Sequence, residues 1–93
     1  MAATQAGLAR DVHTRTRRLK VIAEADPGAL ARILQPFQIL NIVPLRFDAA
    51  RIGEAYLEVC VDVHADELAA ESFAQINAKL GQLPIVLTAV TCD

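Results

Sequence analysis

The chain has 93 residues, a length that suits a single domain with one hydrophobic core and excludes a second domain. Apolar residues make up 54% of the sequence, its mean hydropathy is +0.33 and its formal net charge is −2. No run of about 18 apolar residues is present, and Arg10, Asp11 and Arg15 stand where a secretory signal would need an apolar segment. We therefore expect a cytoplasmic protein with no membrane partner.

Charge distribution and cysteine spacing exclude two further classes. Residues 1–20 hold five basic side chains and one acidic one, whereas the rest of the chain holds four basic and ten acidic ones. The one basic run, residues 15–20, has no aromatic side chain on which a base would stack, so no nucleic-acid partner is predicted. Cys60 and Cys92 are too far apart for a CxxC motif and lie in apolar segments, which indicates reduced, hydrophobic residues.

The chain begins with a segment that lacks periodicity and continues into a strand. Residues 1–16 are predicted to be a flexible leader, which leaves residues 17–93 as the folded domain. A period of two after Arg17 predicts a strand with one face turned to a core. The apolar positions of that strand are Leu19, Val21, Ala23 and Ala25.

A helix is predicted next. Asp26 has the chemistry of an N-cap and Pro27 suits the first helical position. Pro36 removes a backbone donor, so we expect a kink or a looser turn near Gln35. The apolar stripe of this helix is predicted to hold Leu30, Ile33, Leu34 and Phe37.

The second half of the sequence predicts two strands, a helix and a last strand. The second strand is expected over residues 42–47, with Pro44 at its start or on a free edge, and a turn over residues 48–53. Alternation at Ala55, Leu57, Val59, Val61 and Val63 predicts the third strand. Asp66 and Glu67 open a helix with apolar Ala69, Phe73, Ile76 and Leu80, which Gly81 ends. The last strand, residues 85–92, is apolar on both faces and so a candidate for coverage on both sides.

The element order βαββαβ predicts an α+β fold, the ferredoxin-like sandwich of a four-stranded antiparallel sheet with two helices on one face. Right-handed crossovers place the first and third strands in the middle. One sheet face then stays uncovered, and Ile22, Tyr56 and Cys60 lie on it or near it. Together with the high apolar content, this predicts a homodimer or higher homo-oligomer, paired across the sheet or along an edge.

The segment Glu24–Leu30 (EADPGAL), followed by the helix and by Asn41-Ile42 before the next strand, resembles the ACT domain family over residues 18–92. Phe73–Leu80 (FAQINAKL), which leads into a short last strand, is also similar to the short regulatory subunits of acetolactate synthase. The resemblance implies a regulatory domain that binds a small amino acid, such as a branched-chain one, at a homodimer interface and modulates a partner biosynthetic enzyme such as acetolactate synthase. The alternative is an ACT-type dimerisation module that binds or activates a catalytic subunit without an effector.

The resemblance also implies where an effector would bind, between the strand–helix turn of one subunit and the helix–strand connection of its neighbour. Free N–H groups at a helix start favour a carboxylate, Gly28 would let a ligand approach the backbone, and Asp26 would take an ammonium group. A plainer interpretation stays open for each residue, with Asp26 as an N-cap, Gly28 serving turn geometry and Asn41 closing the loop. Ala25 stands where valine-responsive acetolactate synthase subunits carry an amide. The implied ligand-binding residues are Asp26, Pro27, Gly28, Ala29, Leu30, Asn41 and Ile42.

Catalytic chemistry finds no support in the sequence. His64 is expected to be a cap or surface residue, and Glu54, Glu58 and Asp62 alternate as the solvated side of a strand with no nucleophile or second metal ligand nearby. No glycine-rich phosphate loop is present. We therefore expect no enzyme activity, no metal site and no cofactor.

Overall fold

The computed structural model describes residues 15–92, and the predicted leader lies outside them apart from Arg15 and Thr16. The elements are β1 (Thr16–Glu24), α1 (Ala29–Ile39), β2 (Arg46–Ile52), β3 (Tyr56–His64), α2 (Ala70–Gly81) and β4 (Val86–Cys92). The strands form one sheet in the order β2-β3-β1-β4, and every neighbouring pair is antiparallel. The predicted ferredoxin-like architecture is confirmed, with β1 and β3 central and β2 and β4 at the edges.

The core lies between the sheet and the two helices. Strands β1 and β3 pair along their whole length, from Thr16 opposite His64 to Glu24 opposite Tyr56. Because side chains alternate across a strand, one face of this pair turns to the core, as the alternation predicts, and its side chains are buried apart from half-buried Arg17 and Leu57. Its buried residues are Leu19, Val21, Ala23, Val59, Val61 and Val63.

Strand β2 is displaced from its predicted position. It spans Arg46–Ile52 instead of residues 42–47, and Gly53 turns the chain into β3 at φ 63°. The predicted strand is wrong because Ile42 packs into the core as part of the α1 cap, Val43 is 80% exposed and Pro44 has no N–H for a ladder. The real strand pairs only with β3, so just one of its side chains, Phe47, packs against the core.

Helix α1 buries Ile33 and Phe37 as predicted, but Leu34 is only half-buried and Leu30 is exposed. Ala29, Ile33 and Phe37, spaced four apart, are fully buried, whereas Leu30 is 36% exposed. Ala29 lies one helical turn before Ile33 and so shares its buried face, whereas Leu30 lies to the side of that face. The helix also continues through Pro36 to Ile39, so of the two predicted effects, a kink or a looser turn near Gln35, the looser turn is wrong.

Helix α2 begins later than predicted and β4 is less covered. Residues 65–67 form turns and the helix starts at Ala70, with buried Phe73, Ile76 and Leu80 as expected. In β4 only Val86 is buried, because α2 reaches one end of this edge strand and nothing in the described chain covers its other face.

Neither helix in residues 15–92 has the length and apolar character needed to cross a bilayer.

Candidate functional site

The β1–α1 turn is a compact hydrogen-bonded structure built around Asp26. Its main-chain carbonyl accepts from the Ala29 N–H at 3.0 Å, and its Oδ2 accepts from the Gly28 N–H at 2.9 Å. These bonds make Asp26-Pro27-Gly28-Ala29 a β-turn opened by an Asx turn, in which proline suits the second position. The predicted N-cap is therefore wrong. Gly28 occupies the N-cap position, with no side-chain cap bond, and Asp26 stabilises the turn that precedes the helix.

Gly28 does not need to be glycine for its backbone angles. Its φ of −87° and ψ of −2° are ordinary right-handed values, open to any residue. What a side chain would meet is the Asp26 carboxylate, whose Oδ2 lies 3.2 Å from the position of a Cβ on Gly28. The close approach of this carboxylate to the backbone is therefore the physical reason for a small residue here.

The first amides of α1 point out of this turn without acceptors. In the described chain, the N–H of Arg32 donates to the carbonyl of Gly28, but the N–H groups of Leu30 and Ala31 have no acceptor. Unpaired amides at a helix start carry partial positive charge and favour an anion. Ala29 is fully buried, so it offers a ligand only its backbone.

An acidic depression opens beside the same turn. It has a volume of about 480 Å³. It forms where the β2–β3 hairpin meets the end of β1, since the Ala25 N–H donates to the carbonyl of Ala55 at 2.8 Å. The depression thus brings three carboxylates together at the β1–α1 turn, those of Glu24, Asp26 and Glu54. Its lining residues are Glu24, Ala25, Asp26, Glu54, Ala55, Tyr56 and Leu87.

The α1–β2 connection ends the helix in a Schellman motif. Asn41 has φ 58°, its N–H donates to the carbonyl of Gln38 at 2.9 Å, and the N–H of Ile42 donates to the carbonyl of Phe37 at 2.9 Å. The buried Ile42 side chain belongs to the same core cluster as Phe37, as is usual for this motif. The conformation of Asn41 is therefore explained by helix termination, and its exposed side chain stays free for other contacts.

The two halves of the implied site do not meet within one chain. Asp26, Pro27, Gly28, Ala29 and Leu30 surround the start of α1, whereas Asn41 and Ile42 follow its end. A helix of 11 residues is about 16 Å long. A ligand that contacts both halves therefore needs a second copy of the chain.

No protein-family model matches this sequence, and no curated protein matches it in sequence. Solved structures do match it. The ACT domain from GTP pyrophosphokinase of Chlorobium tepidum has a TM-score of 0.69 at 9% identity, over 85% of this chain and 99% of that one. The chain has the fold of an ACT domain. The regulatory subunit of aspartate kinase from Thermus thermophilus matches at TM-score 0.63 and 17% identity, over 83% of this chain and 50% of that one. The C-terminal domain of the MgtC protein from Mycobacterium tuberculosis matches at TM-score 0.70 and 14% identity, over 85% and 86%.

The face of the ACT fold that no helix covers carries ion pairs. The Arg18 guanidinium donates to both oxygens of Asp62 at 2.7 and 3.0 Å, and Lys20 Nζ lies 3.1 Å from Glu58 Oε2. These hydrogen bonds and the carboxylate charges raise the pKa of Arg18 and of Lys20 above their ordinary values. Glu58 and Asp62 are thus paired acids on the sheet, and no group of His, Cys, Asp and Glu in residues 15–92 is placed to hold a metal ion.

Three residues of the acidic depression were not assigned to a site from sequence. The sequence predicts Glu24 only as a strand residue, Glu54 as a solvated acid on a strand, and Tyr56 as part of the open sheet face. All three meet at Asp26 because the hairpin between β2 and β3 ends level with the end of β1 in the ACT fold. Gly53 is a sequence signal for a hairpin turn, which fixes the pairing of Tyr56 with Ile52 but not the pairing of Tyr56 with Glu24 of β1.

Proposed function

We propose that the chain is a regulatory domain that binds a small amino acid at the interface of a homodimer and modulates a partner enzyme of amino-acid biosynthesis, such as acetolactate synthase. The observation that carries this proposal is the β1–α1 turn, where Asp26 lines the acidic depression and also binds the backbone N–H groups that lead into the unpaired helix amides. Two of the similar structures support the regulatory part, one an ACT domain of GTP pyrophosphokinase and the other a regulatory subunit of aspartate kinase.

The electrostatics of the turn suit a zwitterion. The amides of Leu30 and Ala31 would bind the α-carboxylate, because they carry the positive end of the helix dipole. The carboxylates of Glu24, Asp26 and Glu54 would bind the α-ammonium. The exposed Leu30 side chain beside them would contact an apolar ligand side chain, which favours an aliphatic amino acid such as a branched-chain one.

A second copy of the chain would complete the site and would couple ligand binding to the arrangement of the dimer. Asn41 of the second copy would close over a ligand held at the β1–α1 turn, and its amide offers both a donor and an acceptor. A ligand that binds one arrangement of the dimer better than another shifts the population towards that arrangement. The partner enzyme would respond to this shift, so the chain would act in the cytoplasm by binding alone, without catalysis of its own.

The alternative function is an interaction module that dimerises and binds a catalytic subunit without an effector. Two observations favour it. One oxygen of Asp26 is already bound by the Gly28 N–H, and the backbone of Asn41 has a complete structural role in the Schellman motif. Both residues are thus explained without a ligand.

Thermal unfolding of the chain with each of the twenty amino acids separates these functions. A ligand at a hundred times its dissociation constant adds about 2.7 kcal/mol to the free energy of unfolding, which raises the Tm of a domain of this size by roughly 10 °C or more. We expect this increase with one or a few aliphatic amino acids. Gly28→Asp should abolish it, because the new carboxylate lies beside Asp26 and repels the ligand carboxylate.

Gly81→Asp is the control for added charge, since it adds the same charge at the last residue of α2, outside the turn and the depression, where a Cβ meets no atom within 4 Å. It should leave the ligand-induced increase intact. The absence of any increase in Tm with every amino acid at 10 mM (about a hundred times a 0.1 mM dissociation constant) would contradict the effector-binding function. The interaction module would then be the supported function. Co-purification with a thiamine-dependent acetolactate synthase catalytic subunit tests the partner in either case.

A further inference from the structure

A groove between α1 and α2 shares no lining residue with the acidic depression and is unused by the proposed function. It has a volume of about 310 Å³, near the lower end of the range of small-molecule sites. Its floor is apolar, because Ile76 and Leu80 are almost fully buried beneath it. Its lining residues are Arg32, Gln35, Pro36, Ile39, Leu40, Ser72, Gln75, Ile76, Lys79, Leu80 and Leu83.

The two ends of the groove differ in chemistry. Helices α1 and α2 follow antiparallel strands, so they run in opposite directions and the start of α1 lies beside the end of α2. Arg32 and Lys79 therefore lie at one end of the groove. Ile39 and Leu40 lie at the other, where they are 71% and 48% exposed.

The cationic end has no counter-charge. None of the eleven lining residues is acidic. Arg32 and Lys79 form no ion pair within residues 15–92, whereas Arg18, Lys20 and Arg46 on the open sheet face are each paired with a carboxylate. In a chain with more acidic than basic side chains, two unpaired cations over an apolar floor indicate an anionic occupant.

We propose that this groove binds a small amphipathic carboxylate, a medium-chain alkanoic acid. Its carboxylate lies between Arg32 and Lys79, and its alkyl chain lies over Pro36 and the exposed side chains of Ile39 and Leu40. The groove is short and partly enclosed, which fits a single hydrocarbon chain better than a partner helix. This site is separate from the amino-acid site at the β1–α1 turn and does not depend on it.

The test is a titration of the full chain with octanoate, followed by amide chemical shifts and by calorimetry. Octanoate has about ten non-hydrogen atoms, and the efficiency of small ligands then predicts a dissociation constant of about 1 mM. Shifts should concentrate on the lining residues of α1 and α2. Butyrate, which keeps the charge and loses most of the chain, should bind at least about tenfold more weakly, since each buried methylene contributes to affinity.

Variants separate the charge from the apolar surface. Arg32→Gln and Lys79→Gln should each weaken octanoate binding about threefold, as expected for a solvent-accessible ion pair. Ile39→Gln should weaken it by a similar factor, and because Ile39 is exposed the fold stays intact. Arg46→Gln is the matched control, since it removes one positive charge from the open sheet face and should change nothing.

Three outcomes overturn the proposal. One is the absence of octanoate shifts in the groove at 10 mM (about ten times the expected dissociation constant), which would also be the result for a groove reserved for a partner helix. Another is equal weakening by Arg46→Gln, which would show attraction by net charge alone. The third is binding of 1-octanol as tight as that of octanoate, which would show that Arg32 and Lys79 do not bind the carboxylate. Loss of the amino-acid response at the β1–α1 turn affects none of these measurements.

Discussion

Asn41 shows how one residue serves the fold and is left available for function. Its backbone lies in the left-handed region at φ 58°, where asparagine and glycine are tolerated and β-branched residues are strained. Its N–H and that of Ile42 satisfy the last carbonyls of α1, while its side chain is exposed. Backbone and side chain can therefore be tested separately.

Asn41→Val should lower the free energy of unfolding by about 1–2 kcal/mol, because valine is strained at this φ. Asn41→Gly should stay within about 0.5 kcal/mol of the parent chain, since glycine is the preferred residue at this position. Urea unfolding measures both. If the amide side chain also binds an effector, Asn41→Gly keeps the fold and loses the amino-acid-induced increase in Tm. If that increase survives in Asn41→Gly, Asn41 only terminates the helix.

At the scale of elements, sequence patterns predicted the strands and helix faces whose side chains are buried in the core. The central strands and the buried face of α2 follow from alternation and helical spacing where the side chains are buried, whereas the predicted apolar positions Ala55 and Ala69 are exposed and precede β3 and α2. The position of β2 did not follow, because an edge strand with one half-buried residue, Phe47, leaves no apolar alternation in the sequence. The acidic depression could not be predicted from the sequence either, because it forms only where the β2–β3 hairpin lies beside Glu24 at the end of β1.

Pro36 is the clearest conflict between local preference and the fold. It lies inside α1, where it leaves the carbonyl of Arg32 without a helical partner. Pro36→Ala should restore that bond and raise the free energy of unfolding by about 1–3 kcal/mol, with a gain in helical circular dichroism. Pro84→Ala is the control, because Pro84 lies in an exposed turn and its loss should lower stability by up to about 1 kcal/mol. A destabilised Pro36→Ala would mean that ring contacts in the groove outweigh the backbone bond.

At the scale of the whole molecule, the surface limits how two copies can pair. Pairing across the open sheet face would bury the Arg18–Asp62 and Lys20–Glu58 ion pairs, which costs more desolvation than it returns. Pairing along an edge avoids this cost. Helix α2 packs against β4, so α1 lies towards β2. Only pairing on the β2 side would therefore bring the β1–α1 turn of one copy near Asn41 of the other.

Exposed apolar residues provide a matched test of this dimer. Val43 follows the α1 cap on the β2 side and is 80% exposed, and Val90 lies on β4 and is 53% exposed. Val43→Lys should weaken dimerisation about tenfold or more, because an unpaired lysine at an interface costs at least about 1.4 kcal/mol. Val90→Lys should leave the dimer intact, and sedimentation velocity measures both. Loss of the dimer in Val90→Lys alone would place the interface on β4 and would contradict an amino-acid site shared between the β1–α1 turn of one copy and Asn41 of the other.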